Sequence, residues 1–265
     1  IDGRVFEPLY EHFLDPRDPD FHNPDVPIED KARLGRRKSR FASWQEIYER
    51  KLLAEPEASA ERREELKWQA KGESRQTVIH LDATFSPAKS VTLVHAGLMA
   101  AALRAEEAGD IEQAARYRQA ADVVWDGVMA GANASLRYLQ EHAGEARAGY
   151  HGAKVAGRTT GRWVAAGGWV VGQFRQHTNR EGDPQLHVHQ AILNRQLCED
   201  GKWRSLDSRA IFKARAAAAA HGERVMEEYL TRRLGLKFRS RPDGQGREVV
   251  GVSPELIAEF SSRRA

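Results

Sequence analysis

The sequence predicts an α+β domain, a central antiparallel β-sheet with helices packed on one face. Three observations carry this. Residues Thr77 to Phe85 alternate at the period of two that a half-buried strand requires, and Gly168 to His177 and Leu186 to Leu193 also read as strands. An alanine-rich helical stretch from about Val91 to Leu139 separates the first strand from the other two. A second long helix, from about Ser208 to Leu234 and stopped by Gly235, follows them.

The chain has 265 residues, enough to bury a sizeable core. Its formal net charge of +3 is slight, and a pI near 9.0 leaves room for a basic face against nucleic acid without establishing one. The single cysteine, Cys198, excludes a disulfide framework and fits a reducing cytoplasm. No apolar run reaches membrane-spanning length and no signal peptide opens the chain, so membrane insertion is not expected. The chain begins at Ile1 rather than methionine, which leads us to expect a fragment.

Taken in order, residues 1–75 read as an irregular and helical N-terminal segment and residues 76–265 as the core. Pro8, Pro16, Pro19, Pro24 and Pro27 are spaced too closely for a long helix. The run Arg33, Arg36, Arg37, Lys38 and Arg40 is either a phosphate-contacting patch or a solvated linker. Ser43 with Glu46 forms a capping box that opens a helix to about Leu53, and Ser59 restarts a second to about Ala70. These helices are expected to pack on the sheet, with Trp44, Ile47, Leu52, Leu66 and Trp68 as core; an exposed tryptophan would change that view.

In the first strand Ile79, Leu81, Ala83 and Phe85 share one face, and His80, Asp82 and Thr84 the other. Ser86 is expected to cap the following helix with Pro87 at its first position, and Lys89 at that N-terminus is a candidate phosphate contact. The stretch 144–161 is basic and glycine-rich, with Arg147, Tyr150, His151, Lys154 and Arg158. It is either a loop that follows a nucleic-acid strand or a plain hairpin. Trp203 and Arg204 read as a hairpin edge, residues 238–251 as a basic hairpin turning at Asp243 and Gly244, and Ser253 as the cap of a last helix.

The chemistry concentrates at His187 and His189. Strand side chains two apart share a face, so both imidazoles can reach one ion. Gln176 or His177, at the end of the preceding strand, would supply a third donor. Asp82, if its strand lies alongside, would stand behind an imidazole and fix its tautomer.

Two motifs point further. Gln185-Leu186-His187-Val188-His189, preceded by Thr178 to Pro184 and followed by Leu193-Asn194, resembles the three-histidine signature of the MobF (TrwC/TraI-type) conjugative relaxases. Leu81 to Thr92 resembles that family's upstream motif, and Phe260 to Arg264 also fits. These relaxases belong to the HUH endonucleases, and His187-Val188-His189 has the naming form. The resemblance covers most of the chain and implies one relaxase domain over residues 1–265, of bacterial and cytoplasmic origin.

It implies binding of single-stranded DNA at a transfer-origin hairpin and a metal-dependent nick, leaving the 5′ end on a tyrosine. Asp82 would be a partner behind the ligands or a general base, and Lys89, Arg175, Arg180, Lys154 and Arg158 the DNA contacts. The chain departs from the familiar pattern at Gln176, which stands eleven residues before His187 where a histidine is usual. That spacing favours Gln176 as third ligand; a bulge would instead deliver His177. An amide oxygen there favours Mg²⁺ or Mn²⁺ over Zn²⁺.

The family's register puts the nucleophile before Ile1, so none of Tyr10, Tyr48, Tyr117, Tyr138, Tyr150 and Tyr229 matches it. Relaxosome accessory proteins and a coupling protein would be further partners. Two other classes stay open: a catalytically silent DNA-binding module of the same fold, and a small-molecule metalloenzyme with a closed apolar pocket.

Overall fold

In a computed structural model of the chain, residues 3–37, 41–75, 77–149 and 161–262 are described. They form two compact units, residues 1–80 and 81–265.

The first unit opens on a helix where closely spaced prolines led us to expect irregular chain. Helix α1 (Gly3–His12) contains Pro8 and still forms. Val5, Phe6, Leu9 and Tyr10 recur at helical spacing; Phe6 stacks on Tyr10 at 4.1 Å, and Leu9 and Tyr10 are buried. The later prolines do break the chain into turns. Arg33, read as a phosphate candidate, donates instead to the carbonyls of Ile28, Glu29 and Lys31. Lys38 and Arg40 lie outside the described residues.

Helix α2 (Trp44–Ala54) carries the expected capping box: Ser43 Oγ accepts from Glu46 N, and Glu46 Oε2 from Ser43 N at 2.6 Å. Helix α3 (Ala60–Glu73) is capped by Ser59, and α2 and α3 pack on each other. Trp68 is not core. It is 69% exposed, because two residues along a helix is more than half a turn from Leu66, which with Ala70 takes the buried face. The ammonium of Lys71 lies over both the Trp68 ring (5.0 Å) and the Trp44 ring (5.3 Å).

The second unit holds the sheet. Its strands are β1 (His80–Asp82), β2 (Glu145–Ala148), β3 (Arg162–Thr178), β4 (Pro184–Cys198) and β5 (Trp203–Arg204). The order is β1-β4-β3-β2, with β5 also on β4, and the β2–β3, β3–β4 and β4–β5 pairs are all antiparallel. The first strand is shorter than its alternation suggested, thinning to a bridge between Phe85 and Val188 before the chain turns at Pro87. The glycine-rich stretch opens as strand β2 of a hairpin with β3; Tyr150, His151, Lys154 and Arg158 fall outside the described residues.

Helices α4 (Lys89–Glu107), α5 (Ile111–Ala143) and α6 (Ser208–Leu234) cover one face of this sheet. The break expected near Gly109 is there: Gly109 takes φ +79° and Asp110 caps α5. Gly235 ends α6 in the left-handed conformation. Strands β6 (Phe238–Ser240) and β7 (Arg247–Val249) form the last hairpin, with Gly244 at φ +68° in its turn, and Ser253 caps α7 (Pro254–Glu259).

The core joins sheet to helices through Phe85, Val91, Val124, Trp125, Val128, Leu186, Val188, Met226 and Leu230. Helices α5 and α6 touch backbone to backbone at Gly131 and Gly222: a Cβ on Gly222 would lie 2.6 Å from the Gly131 carbonyl oxygen. Such proximity needs glycine on both sides.

Candidate metal centre

The alternation of β4 sets the chemistry. Leu186, Val188 and Ile192 point into the helix-backed core, so His187 and His189 point to the opposite, open face. Register then selects their neighbours. Gln176 pairs with His187 and Phe174 with His189, and directly opposed residues project to the same face. Gln176 and Phe174 are exposed there, Phe174 by 45%.

Each imidazole is held at Nδ1. His187 Nδ1 lies 2.9 Å from the Gln185 carbonyl oxygen, and His189 Nδ1 lies 2.6 Å from Asp82 Oδ2. Thr84 Oγ1 is 3.3 Å from both Asp82 Oδ2 and His189 Nδ1. An acceptor at Nδ1 fixes the proton there and leaves the Nε2 lone pair outward, as a metal-binding imidazole requires. The rings are 5.0 Å apart between centroids. Two Nε2 lone pairs on one face are what a divalent ion would need, and register puts Gln176 on that same face. Among the described residues no three His, Cys, Asp or Glu side chains gather as a metal-holding group.

His177 goes elsewhere. It follows Gln176 onto the helix-backed face, where its Nε2 accepts from the Trp125 indole N–H at 3.1 Å and its ring lies 6.0 Å from His95. Burial, and then His177, holds His95 below the ordinary histidine range. Arg175 shares that face, its guanidinium 5.4 Å from the centre of the Trp125 ring. So the strand end divides: Gln176 toward the two histidines, Arg175 and His177 away from them.

The helix N-terminus near Lys89 is already engaged. Ala88, not Ser86, is the N-cap, since the Val91 and Thr92 amides donate to the Ala88 carbonyl. Ser90 N and Oγ both donate to Glu248 Oε2, and Lys89 Nζ donates to the Pro184 carbonyl at 2.8 Å. A carboxylate from β7 thus stands where a phosphate was expected. Arg180 is exposed in the turn before β4, which Asn179 shapes by accepting from the Glu181 and Asp183 amides. Among described tyrosines of this unit, Tyr117 and Tyr138 sit on α5 and Tyr229 on α6, in the layer behind the sheet.

Thr84 and Trp125 were not singled out as site residues. The parity of Thr84 with Asp82 gave a usable signal; Trp125, mid-helix and distant in sequence, gave none.

The fold has counterparts. The model of the TrwC relaxase family matches residues 1–265. A solved, metal-bound structure of the conjugative relaxase TrwC in complex with oriT DNA is similar, with TM-score 0.54 and 29% identity over 73% of this chain and 56% of that one. A copper-bound TrwC–oriT complex gives TM-score 0.51 and 31% identity, over 73% and 55%. A metal-free complex gives 0.51 and 30%, over 70% and 54%. The chain thus spans little more than half the length of these solved relatives. Compared directly with curated protein sequences, it matches none. From its whole-length match, the chain belongs to the TrwC relaxase family.

Proposed function

We propose that the chain is a relaxase domain that binds single-stranded DNA at a transfer-origin hairpin and takes part in a site- and strand-specific nick. The observation that carries this reading is the open-face cluster of His187, His189 and Gln176, with Asp82 behind His189. It stands on an exposed sheet face rather than in a closed apolar pocket, which favours a polymer over a small molecule.

In this reading His187 Nε2, His189 Nε2 and the Gln176 amide oxygen hold one divalent ion, Mg²⁺ or Mn²⁺ by the oxygen donor. When bound, the ion draws charge from the non-bridging oxygens of the scissile phosphate. Asp82 and the Gln185 carbonyl orient the rings, and Thr84 braces Asp82. A tyrosine oxygen attacks phosphorus in line, the P–O3′ bond breaks, and the 3′ oxygen leaves to become a hydroxyl. The phosphate stays on the tyrosine, so the bond energy is kept for resealing. Tyr117, Tyr138 and Tyr229, in the layer behind the sheet, are not the nucleophile.

Arg180 is the described cation we assign to the DNA backbone, with Lys154 and Arg158 as further contacts. Lys89 and Arg175 have intramolecular partners and would have to exchange them to join. Among the described residues no helix is long and apolar enough to cross a membrane. Action in the bacterial cytoplasm, beside relaxosome accessory proteins and a coupling protein, completes the reading.

The test is binding of a fluorescent single-stranded origin hairpin, with and without Mn²⁺, across a salt series. The expected result is steeply salt-dependent binding, and metal uptake lost in His187→Ala/His189→Ala. Equal affinity for single-stranded and duplex DNA at every salt would overturn the proposal.

A further inference from the structure

The end of β3 decides which side chain faces the histidines, and Gln176 is the last residue there that the regular ladder holds. The register is regular from Val171 to Gln176, then shifts between Gln176 and Thr178. Gln176 is the last pair before that shift, and a one-residue slip extending back over it would exchange the two faces, removing Gln176 from the site and presenting His177.

One residue of the helix layer opposes that slip at both flanks. Trp125, on α5 and 5% exposed, takes Arg175 over its ring at 5.4 Å and donates its indole N–H to His177 Nε2 at 3.1 Å. The Trp125 and His177 rings meet edge to face, 5.0 Å between centroids. Residues 175 and 177 are thus tied to one buried side chain behind the sheet, which leaves Gln176 only the face of His187. Tryptophan has the chemistry for both ties, since its ring fills the core and binds a cation while its single N–H gives a directional bond.

We infer that Trp125 is a positioning residue that fixes Gln176 as the third metal donor and keeps His177 out of the set. This rests on the metal reading proposed above. Partners behind metal ligands change metal affinity by about 10- to 100-fold when removed. Trp125 acts one step further back, through the strand, so the lower end of that range applies.

The test uses Mn²⁺ alone as probe, titrated calorimetrically into the whole chain. Trp125→Phe keeps a ring for Arg175 and drops the N–H; His177→Ala removes the acceptor and leaves the core intact. Both should weaken Mn²⁺ binding roughly tenfold. In a Gln176→Ala background neither should weaken it further, since the donor they position is gone.

Parent-like Mn²⁺ binding by the two single variants would overturn the inference, as would losses that multiply with that of Gln176→Ala. A parent that takes up no Mn²⁺, or whose uptake survives His187→Ala/His189→Ala, would remove the metal reading itself and this inference with it. Binding by the parent, lost with the histidines but indifferent to Trp125 and His177, would remove the inference alone.

Discussion

Replacing Asp82 by asparagine separates the chemistry of the site from the stability of the fold. The carboxylate oxygen lies 2.6 Å from His189 Nδ1, a charge-assisted length, and the side chains are 42% and 32% exposed. A side-chain contact so open to water contributes about 0 to 1 kcal/mol to folding, so Asp82→Asn should melt within a few degrees of the parent. Its effect on the ring is another matter. The carboxylate holds the proton on Nδ1 and makes Nε2 more basic, and loss of such a partner lowers metal affinity by about 10- to 100-fold. At about 1.4 kcal/mol per decade that is roughly 1.4 to 2.8 kcal/mol, more than the pair gives the fold. Thr84 Oγ1, 3.3 Å from the same nitrogen, remains as a weaker acceptor, so binding should be reduced rather than abolished. Isothermal titration with Mn²⁺, beside a thermal melt of the same sample, measures both quantities. An unchanged Mn²⁺ affinity would refute the assignment of Asp82 to His189, and a collapse of the melt would make its role structural.

Three other perturbations are sharp. Gly222→Ala places a methyl 2.6 Å from the Gly131 carbonyl oxygen and 2.8 Å from Phe85, neither of which can swing away; it should cost about 1 to 3 kcal/mol despite alanine's helical preference, and an unchanged urea midpoint would contradict the close α5–α6 approach. Burial first, and Glu227 next, push the Glu223 carboxyl above the ordinary range, so its ionisation disfavours the folded state as pH rises through that raised value. Glu223→Gln should therefore raise the melting temperature at neutral pH and lose its advantage below the usual glutamate pKa; a benefit that grows on acidification would have the wrong sign. Phe174→Ala should weaken single-stranded DNA binding by about 1 to 3 kcal/mol if the ring stacks on a base beside the site, and equal affinity by fluorescence anisotropy would remove that role.

Where one local rule governed a residue, the sequence was legible. Alternation placed Leu81, Ala83 and Phe85 inside and Asp82 with Thr84 outside, and caps located α2, α3 and α6 closely. Helix α1 was missed because proline spacing was weighed above the apolar spacing of Phe6, Leu9 and Tyr10. The N-cap of α4 was placed two residues early: the helix starts after Ala88, and Glu248, from far along the chain, accepts the Ser90 amide in its first turn. The choice between Gln176 and His177 was open for a related reason: strand period fixes which residues share a face, but which face meets the helices depends on Trp125. Local pattern supplied the candidates, and long-range contacts arranged them.

The β3–β4 hairpin bears on the order in which the site assembles. Gln176, His187 and His189 all lie on two long strands joined by the tight turn at residues 179–183, so bringing these donors together closes only a short loop. The entropy of such a closure is small, and hairpins form on a timescale of about 1 to 10 μs. Asp82 comes from more than a hundred residues upstream and reaches His189 only when β1 docks on the far edge of β4. On the proposed metal reading, a nascent chain would gather its three donors in this hairpin, with Trp125 holding Gln176 to their face, and the carboxylate behind them would join through β1. On that reading, gathering the donors and tuning them are separate events in folding time, the first local and fast, the second waiting on a contact between residues more than a hundred apart in sequence.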